Sequence, residues 1–397
     1  MHILTLSTLF PNSDRPNFGI FVERQTASLA AQDNVKVTVI NPIGIAPWPI
    51  SIFMPSTNKH LVSNIASDWR GLKIFRPSFP LIPKFGGPVN PHFIASAILP
   101  IIKKIHAQSP IDVIDAEFFY PDGPAAMIVA EKLNIPYTIK ARGADVHLWG
   151  SKFGCKNLWK KAADNAVHLF AVSGALKRDI VAYGVNENKI TVHYTGLDRN
   201  KFHPSTKAGQ LPDILTSKGG NAPYLLSVGA LIERKGQSFV IDAVASLPKH
   251  YHYVLAGSGP DEAALRAQAA SLGLSDRVTF LGNVDNEDLP SLYQHAFAMV
   301  LPTASEGLAN AWVESIGCGT PIITCNVGGA EELVRGPDSG YLIERSADAI
   351  VDAVNLLAKN RATPAAIAEQ AAQFSWHENG RLLAKYFKNI VGINQSQ

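Results

Sequence analysis

Cysteine is scarce: three residues (Cys155, Cys318, Cys325) occur in a chain of 397. Their spacing fits no metal-ligand pattern and their odd number gives no disulfide framework, so reduced thiols in a cytoplasmic protein are expected. No apolar run approaches the ~18 residues that a membrane-spanning helix needs, so none is predicted. The opening MHILTLSTLF lacks a basic stretch and a small-residue cleavage site, and reads as a buried first strand rather than a secretory signal. No Asp-x-Asp stands beside a strand end and no His/Asp cluster has metal spacing, so no metal cofactor is expected. Repeats of solenoid period and low-complexity tracts are also missing. The Gly-Ser-Gly at 257–259 is too short for a dinucleotide fingerprint, which argues against an NAD enzyme.

What is present is a balanced globular composition, 46% apolar and 17% charged, with 30 glycines and 26 prolines as turn material. The length favours two domains. The net charge of +3 conceals an asymmetry: residues 1–205 hold 22 Lys+Arg against 14 Asp+Glu, the remainder 14 against 19. A basic amino-terminal half suits an anionic partner, such as a phospholipid surface or a diphosphate-linked acceptor, or is uneven solubilising charge. A nucleic-acid partner is not expected.

Short Val/Ile-rich runs alternate with amphipathic stretches of helical period, the pattern of parallel sheets with crossover helices. Strands are predicted at 2–9, 35–41, 111–116, 136–141, 167–172 and 189–194, then at 224–229, 251–257, 278–282, 298–302, 321–325 and 340–343. Helices intervene at 19–32, 93–107, 123–134 and 174–183, then at 236–247, 260–273, 288–296, 308–318 and 347–359. The expected organisation is an amino-terminal Rossmann-like domain over 1–204, a linker over 205–222 and a second Rossmann-like domain over 223–374. A closing helix over 375–397 returns to the first domain. Such sheets bind ligands beyond the carboxyl ends of their strands, so two doubly wound units would face across a cleft. The Pro-rich, aromatic segments 42–60 and 77–92 break the rhythm. They are either ordered loops packed on their own domain or a surface that touches a membrane or a lipid-linked acceptor.

Chemistry concentrates in LPTASEGLANAWVESIGCGTPII, residues 301–323. Gly307 allows a close backbone approach, and the amides of Leu308, Ala309 and Asn310 at a helix start suit an anion. Glu306 and Glu314 would stand ~10 Å apart along one ligand, one for sugar hydroxyls and one for ribose hydroxyls. In LLSVGALIERKG (225–236), Arg234 and Lys235 stand at a strand's carboxyl end, where adjacent cations suit a diphosphate leaving group. Alone, that triplet is usually just a solvated helix start; combined with the Glu306 segment in the same half of the chain, it is read as a diphosphate site.

The order VGALIERKG, VLAGSGP, VTFLGNV, PTASEGLANAWVESIGCGTPII, GGAEELV closely resembles the carboxyl-terminal domain of family 4 retaining glycosyltransferases, which have the GT-B fold. The resemblance implies donor contacts from Gly229, Arg234, Lys235, Gly257, Asn283, Val284, Glu306 to Asn310, and Glu314. FPNSDRPNFGIFVERQ (10–25) is similar to the family's first-strand loop, where Gly19 would open a helix toward the donor phosphates; Gly19 could instead simply cap a turn. KARGADVHLWG, AVSGALKRDI and YTGLDRNKFHP resemble further segments, which implies Arg142, Asp145, His147, Ser173 and Lys177 on the acceptor side. A GIFVERQ-type start with YPDG resembles polysaccharide-assembly transferases of the teichuronic-acid or exopolysaccharide kind.

One position departs from the pattern. In IDVIDAEFFYPDG (111–123), many relatives carry histidine where Glu117 stands, and often another at Asp115. Glu117 either takes a related catalytic role or is a salt-bridged end-of-strand residue, and His147 is a second candidate for the lost contact. The family implies transfer from a UDP- or GDP-sugar to a saccharide or lipid-linked saccharide, with retention and with no cofactor or metal. A cytoplasmic enzyme is expected, with or without peripheral contact at the inner face of the plasma membrane. Two rivals remain: a non-catalytic nucleotide-sugar-binding subunit and a sugar-nucleotide 2-epimerase of the same fold.

Overall fold

The computed structural model describes residues 1–53, 57–83, 86–205, 212–217 and 223–395. Parts of the expected linker (206–211, 218–222) and of the Pro-rich segments (54–56, 84–85) lie outside the described residues. The chain divides into two compact units, Met1–Gly196 with Trp376–Gln397, and Leu197–Ser375. The division falls before the expected 204. Phe202 is buried against Tyr293 with ring centroids 6.3 Å apart, and the Leu197 side chain fills the space a Cβ on Gly317 would take. Residues 197–204 therefore pack with the second unit.

The first unit contains β1 (His2–Leu6), β2 (Lys36–Ile40), β3 (Ile43–Ile45), β4 (Ser63–Trp69), β5 (Leu72–Arg76), β6 (Ser78–Pro80), β7 (Val113–Ala116), β8 (Tyr137–Ala141), β9 (His168–Ala171) and β10 (Ile190–Val192). Eight of them form one sheet in the order β10-β9-β8-β7-β1-β2-β5-β4. Every pairing in it is parallel except β4 with β5. The sheet is flanked by helices, so its central strands, such as HILTL and VIDA, are mostly apolar runs with every residue buried. The antiparallel β4–β5 pair was missed in the sequence, because β4 (SNIASDW) is an exposed edge strand without alternation. β3 and β6 pair separately within the Pro-rich segments.

The helix Trp376–Gln395 packs on the helix Ile20–Ala30 and buries Leu383, Ala384 and Phe387 in the first core. Gly380 permits this approach, since a Cβ there would lie 2.6 Å from the Ser28 backbone carbon. Asn379 fixes the register: its amide donates to the Tyr194 carbonyl at 2.6 Å, and its own carbonyl accepts from His193 Nε2 at 2.9 Å.

The second unit contains β11 (Tyr224–Val228), β12 (His252–Ala256), β13 (Val278–Gly282), β14 (Ala298–Leu301), β15 (Ile322–Cys325) and β16 (Gly340–Ile343). All are parallel, in the order β13-β12-β11-β14-β15-β16. The order reverses between β11 and β14. Loops leaving those two strands part in opposite directions and leave a crevice at their carboxyl ends. The helices Gln237–Ser246 and Ala347–Lys359 cover one face, with Val240, Ile241, Val244, Ile350 and Val354 buried. The three thiols are free and buried.

Candidate functional site

The switch point of the second unit gathers residues that lie far apart in sequence. After β11 the chain runs to a single 3-10 turn, Glu233–Lys235, so Arg234 and Lys235 lie within that turn, just before the helix that opens at Gln237. After β14 it runs Pro302–Leu308 before the helix Asn310–Gly317. One carboxylate oxygen, Glu306 Oε1, accepts from Arg234 Nη1 at 3.0 Å, from Lys235 Nζ, and from the Thr303 hydroxyl at 3.2 Å. The Glu306 and Lys235 side chains are each 13% exposed, whereas Arg234 is 40% exposed. A half-buried acid between two cations leaves a net charge of one, with Arg234 reaching toward solvent. That arrangement holds two cations parallel despite their repulsion and can receive an anion.

The supporting contacts include residues that the sequence did not single out. Arg345 donates to the Pro302 carbonyl at 2.9 Å and to the Glu233 carbonyl at 2.6 Å, so it ties the two loops together. Gly328, at φ +53°, lies so close that a Cβ would fall 2.0 Å from the Glu306 carbonyl oxygen. The neighbouring Gly329 amide donates to the Gly307 carbonyl at 2.7 Å. Gly328 and Gly329 belong to the GGAEELV segment, whose signal was therefore present without a role attached. Arg345 stands outside every motif and had none.

Several expectations shift in detail. The helix begins at Asn310 with Ala309 as its cap, so the first helical amides are Asn310 and Ala311; those of Leu308 and Ala309 precede the helix. Leu308 and Ala309 are buried. Glu314 lies on this helix and accepts from the Tyr293 hydroxyl at 3.1 Å. Gly229 and Gly257 adopt φ of +140° and +149°, and a Cβ on Gly257 would lie 2.0 Å from the Gly229 carbonyl oxygen. Gly257 thus serves loop against loop, while the space above Gly229 meets only the Lys235 side chain, at 4.0 Å. Asn283 and Val284 follow the edge strand β13, and the Asn283 side chain accepts from the Ser258 hydroxyl at 2.8 Å.

In the first unit the order reverses between β7 and β1. Gly19 caps the helix Ile20–Ala30 at φ +71°, and a Cβ there would strike the Leu9 backbone at 2.5 Å. The turn-cap reading therefore describes its geometry. Glu117 is 1% exposed, with one oxygen accepting from Gln25 and the other ion-paired to Arg142. This is the geometry of the salt-bridged alternative. Asp145 is fully buried and accepts from the amides of Phe119 (2.7 Å), Arg142 (3.0 Å) and Gly143 (2.7 Å), so it clasps the ends of β7 and β8 together. Burial raises its pKa while those amides lower it. Ser173 is buried, and its hydroxyl caps the helix Gly174–Ala182 by accepting from the Leu176 amide at 3.1 Å. Lys177 pairs with Glu187 at 3.3 Å, and His147 Nε2 meets Asp179 at 2.8 Å. Arg142, Asp145 and Glu117 come together through the Arg142 amide and guanidinium; His147, Ser173 and Lys177 lie on or beside the helices Ala144–Ser151 and Gly174–Ala182 and make other contacts.

The Glu117–Arg142 pair continues into a buried network. Lys140 is fully buried, donates to Gln25 and meets His193 Nδ1 at 2.5 Å. Burial, with Arg142 nearby, pushes the Lys140 ammonium down to about 7. Burial and the adjacent Glu117 push Asp115 up, although the Thr138 hydroxyl donates to it at 2.7 Å. Lys140 and Gln25 were missed, although a lysine inside the buried strand YTIKA is itself a signal, because such a charge needs partners.

Comparison with known proteins places this geometry. Residues 216–374 match the family described as Glycosyl transferases group 1, and residues 29–201 match Glycosyltransferase Family 4. A Bacillus subtilis (strain 168) protein assigned by inference to teichuronic acid biosynthesis, the glycosyltransferase TuaC, is 26% identical over 98% of this chain and 99% of its own. A GDP-mannose-dependent alpha-(1-6)-phosphatidylinositol monomannoside mannosyltransferase of Mycobacterium tuberculosis (strain ATCC 25618 / H37Rv) is 29% identical over 49% of this chain and 54% of its own. In fold the chain resembles sucrose-phosphate synthase of Thermosynechococcus elongatus (TM-score 0.77, 19% identity, 99% of both chains). It also resembles Anabaena HepE, solved with UDP and glucose (TM-score 0.71, 20% identity, 98% of this chain and 100% of that one). The two family matches, one on each half, and the full-length similarity to TuaC agree with both switch points: the chain is a family 4 glycosyltransferase of the GT-B fold.

Proposed function

We propose that the enzyme is a retaining transferase that moves a sugar from a UDP- or GDP-sugar to a hydroxyl of a saccharide or lipid-linked saccharide, in the assembly of a cell-surface polysaccharide or glycolipid. The convergence of Arg234, Lys235 and Glu306 at the switch point of the second unit carries this reading. Two cations and the first amides of the helix Asn310–Gly317 form an anion-binding set suited to a diphosphate, without a metal ion. Glu306 contacts the donor sugar and Glu314 the ribose hydroxyls. The bond between the anomeric carbon and the phosphate oxygen breaks, the acceptor oxygen bonds to that carbon from the same face, and the acceptor proton passes to the leaving phosphate. Arg142 and Asp145 shape the acceptor side through backbone and ion-pair contacts. Glu117 is an internal counter-charge there.

The relatives support the choice of donor: one is named as GDP-mannose-dependent, and HepE was solved with UDP-glucose. The test is a panel of UDP- and GDP-sugars assayed for donor hydrolysis and transfer, with the product anomer read by NMR. One donor should turn over with retention, and Arg234→Ala with Lys235→Ala should lower transfer by at least ~10³-fold with circular dichroism unchanged. Unchanged turnover in that double variant, or an inverted product, refutes the reading.

A further inference from the structure

We propose that Arg345 is a positioning residue for transfer: its guanidinium holds the cationic turn and the Glu306 loop at one fixed separation. The inference rests on the donor-site reading above and gives a role to a side chain that does not meet the ligand. Arg345 follows β16, which lies two strands from β14 and three from β11 in the sheet order. Its side chain therefore crosses the carboxyl end of β15 to reach the loops that leave β11 and β14.

Three hydrogen bonds make the tie. Nε donates to the Pro302 carbonyl at 2.9 Å, at the start of the loop that carries Glu306. Nη2 donates to the Glu233 carbonyl at 2.6 Å and to the Arg234 carbonyl at 3.3 Å, both in the 3-10 turn. The same two loops touch directly, since the Ala304 amide donates to the Arg234 carbonyl at 2.8 Å. A Cβ on Gly236 would fall 2.4 Å from the Pro302 carbonyl oxygen, so that approach admits no side chain. A planar guanidinium bonds the carbonyls of both loops in one geometry, which an ammonium, a point charge, does not fix.

Arg345 is itself held in place. Its guanidinium lies over the Phe239 ring at 4.9 Å, on the helix that opens at Gln237. The next residue, Ser346, caps the helix Ala347–Lys359 by accepting from the Ala349 amide at 3.2 Å. A strand end, a capped helix and an aromatic face thus fix a side chain whose Nε and Nη2 go to main-chain oxygens. What it transmits is position. Arg234, Lys235 and Glu306 meet a departing diphosphate together only while their two loops stay in register, and a displacement of ~1 Å can cost about 10²-fold in rate. Either cation can hold the diphosphate of the bound donor, but both are needed as charge develops on it. Loss of Arg345 therefore falls on kcat before KM.

The test is Arg345→Ala and Arg345→Lys in the full chain, read by transfer kinetics, thermal melts and amide hydrogen exchange. In Arg345→Ala, kcat should fall about ten- to hundredfold while donor KM changes by less than about threefold. Ethylguanidinium, which replaces the atoms removed, should raise kcat of that variant about fivefold or more; ethylammonium, which supplies charge without the fork, should not. Arg345→Lys keeps a cation over the Phe239 ring and should melt as wild type, yet lose about fivefold or more in kcat. Exchange of segments 230–236 and 302–308 should quicken together in both variants. A kcat within about twofold of wild type in Arg345→Lys, a loss confined to KM, equal rescue by both cations, or unchanged exchange in the two loops would each overturn the proposal. Exchange needs no donor: inertness of the wild type toward every UDP- and GDP-sugar, with both loops still loosened together in the variants, would overturn the donor reading and leave the tie standing.

Discussion

The contact of Glu306 with two cations predicts opposite effects on nucleotide binding and on turnover. Glu306→Gln keeps the shape and an accepting oxygen for the Thr303 hydroxyl, but removes the charge that Arg234 Nη1 meets at 3.0 Å. The local charge then rises from one to two positive units. An additional unit of charge near a diphosphate contributes about 1 kcal/mol in a water-like dielectric at ~4 Å, and more where the site is half-buried. A contribution of about 1–2 kcal/mol corresponds to about five- to thirtyfold tighter binding of the nucleoside diphosphate alone. The intact nucleotide sugar should gain less, because the variant loses the carboxylate that would accept from the sugar hydroxyls. Turnover should fall about 10²–10³-fold, the usual loss when one charge-stabilising group is removed from a transferring site. Isothermal titration with UDP, GDP and the active nucleotide sugar, alongside initial rates, measures all three quantities. Weaker binding of the bare diphosphate would show that Glu306 chiefly positions the two cations, and would refute the electrostatic argument.

Gly328→Ala should leave the first unit folded but abolish most transfer, since its Cβ would fall 2.0 Å from the Glu306 carbonyl oxygen and displace that loop; wild-type rates would show that the contact is not needed. The pH dependence of stability tests Asp122, whose carboxyl is fully buried with one oxygen unpartnered and is pushed by burial from 3.8 up to about 7. Because the folded state holds this proton more tightly than the unfolded chain, its contribution is fully present below pH ~4 and is lost as pH rises through about 7. Asp122→Asn should therefore reduce the loss of unfolding free energy between pH 5 and 8 by on the order of a few kcal/mol. An unaltered pH slope in thermal melts would count against this burial.

The second unit was more legible than the first for a physical reason. Its strands, predicted at 224–229, 278–282 and 340–343, occur at Tyr224–Val228, Val278–Gly282 and Gly340–Ile343, because strands of a parallel sheet covered by helices are short apolar runs bounded by turn residues. Its charged site residues also sit immediately after such runs, so position along the chain nearly determines position in space. The helix that starts at Asn310 rather than 308 is an error at an element boundary, where the cap decides and periodicity says little. Arg345 could not be read at all, because its partners are backbone carbonyls contributed by two loops that converge only in the folded unit.

The first unit hides its organisation in long-range polar contacts. Gln25 meets Lys140 across more than a hundred residues, and Lys140 meets His193, whose Nε2 donates to the Asn379 carbonyl of the closing helix at 2.9 Å. No local pattern announces such a chain; only the unusual lysine in a buried strand hints that one must exist. The network also explains how an acid can stand buried just beyond β7. Its carboxylate is answered by Arg142 within the pair and by Lys140 nearby, so its charge is balanced inside the fold. A histidine there would leave Arg142 and Lys140 without that counter-charge. Glu117→Gln, which keeps the shape of the side chain but removes its charge, should therefore destabilise the first unit, as read by chemical denaturation. Wild-type stability in that variant would show that the counter-charge is not what the position supplies.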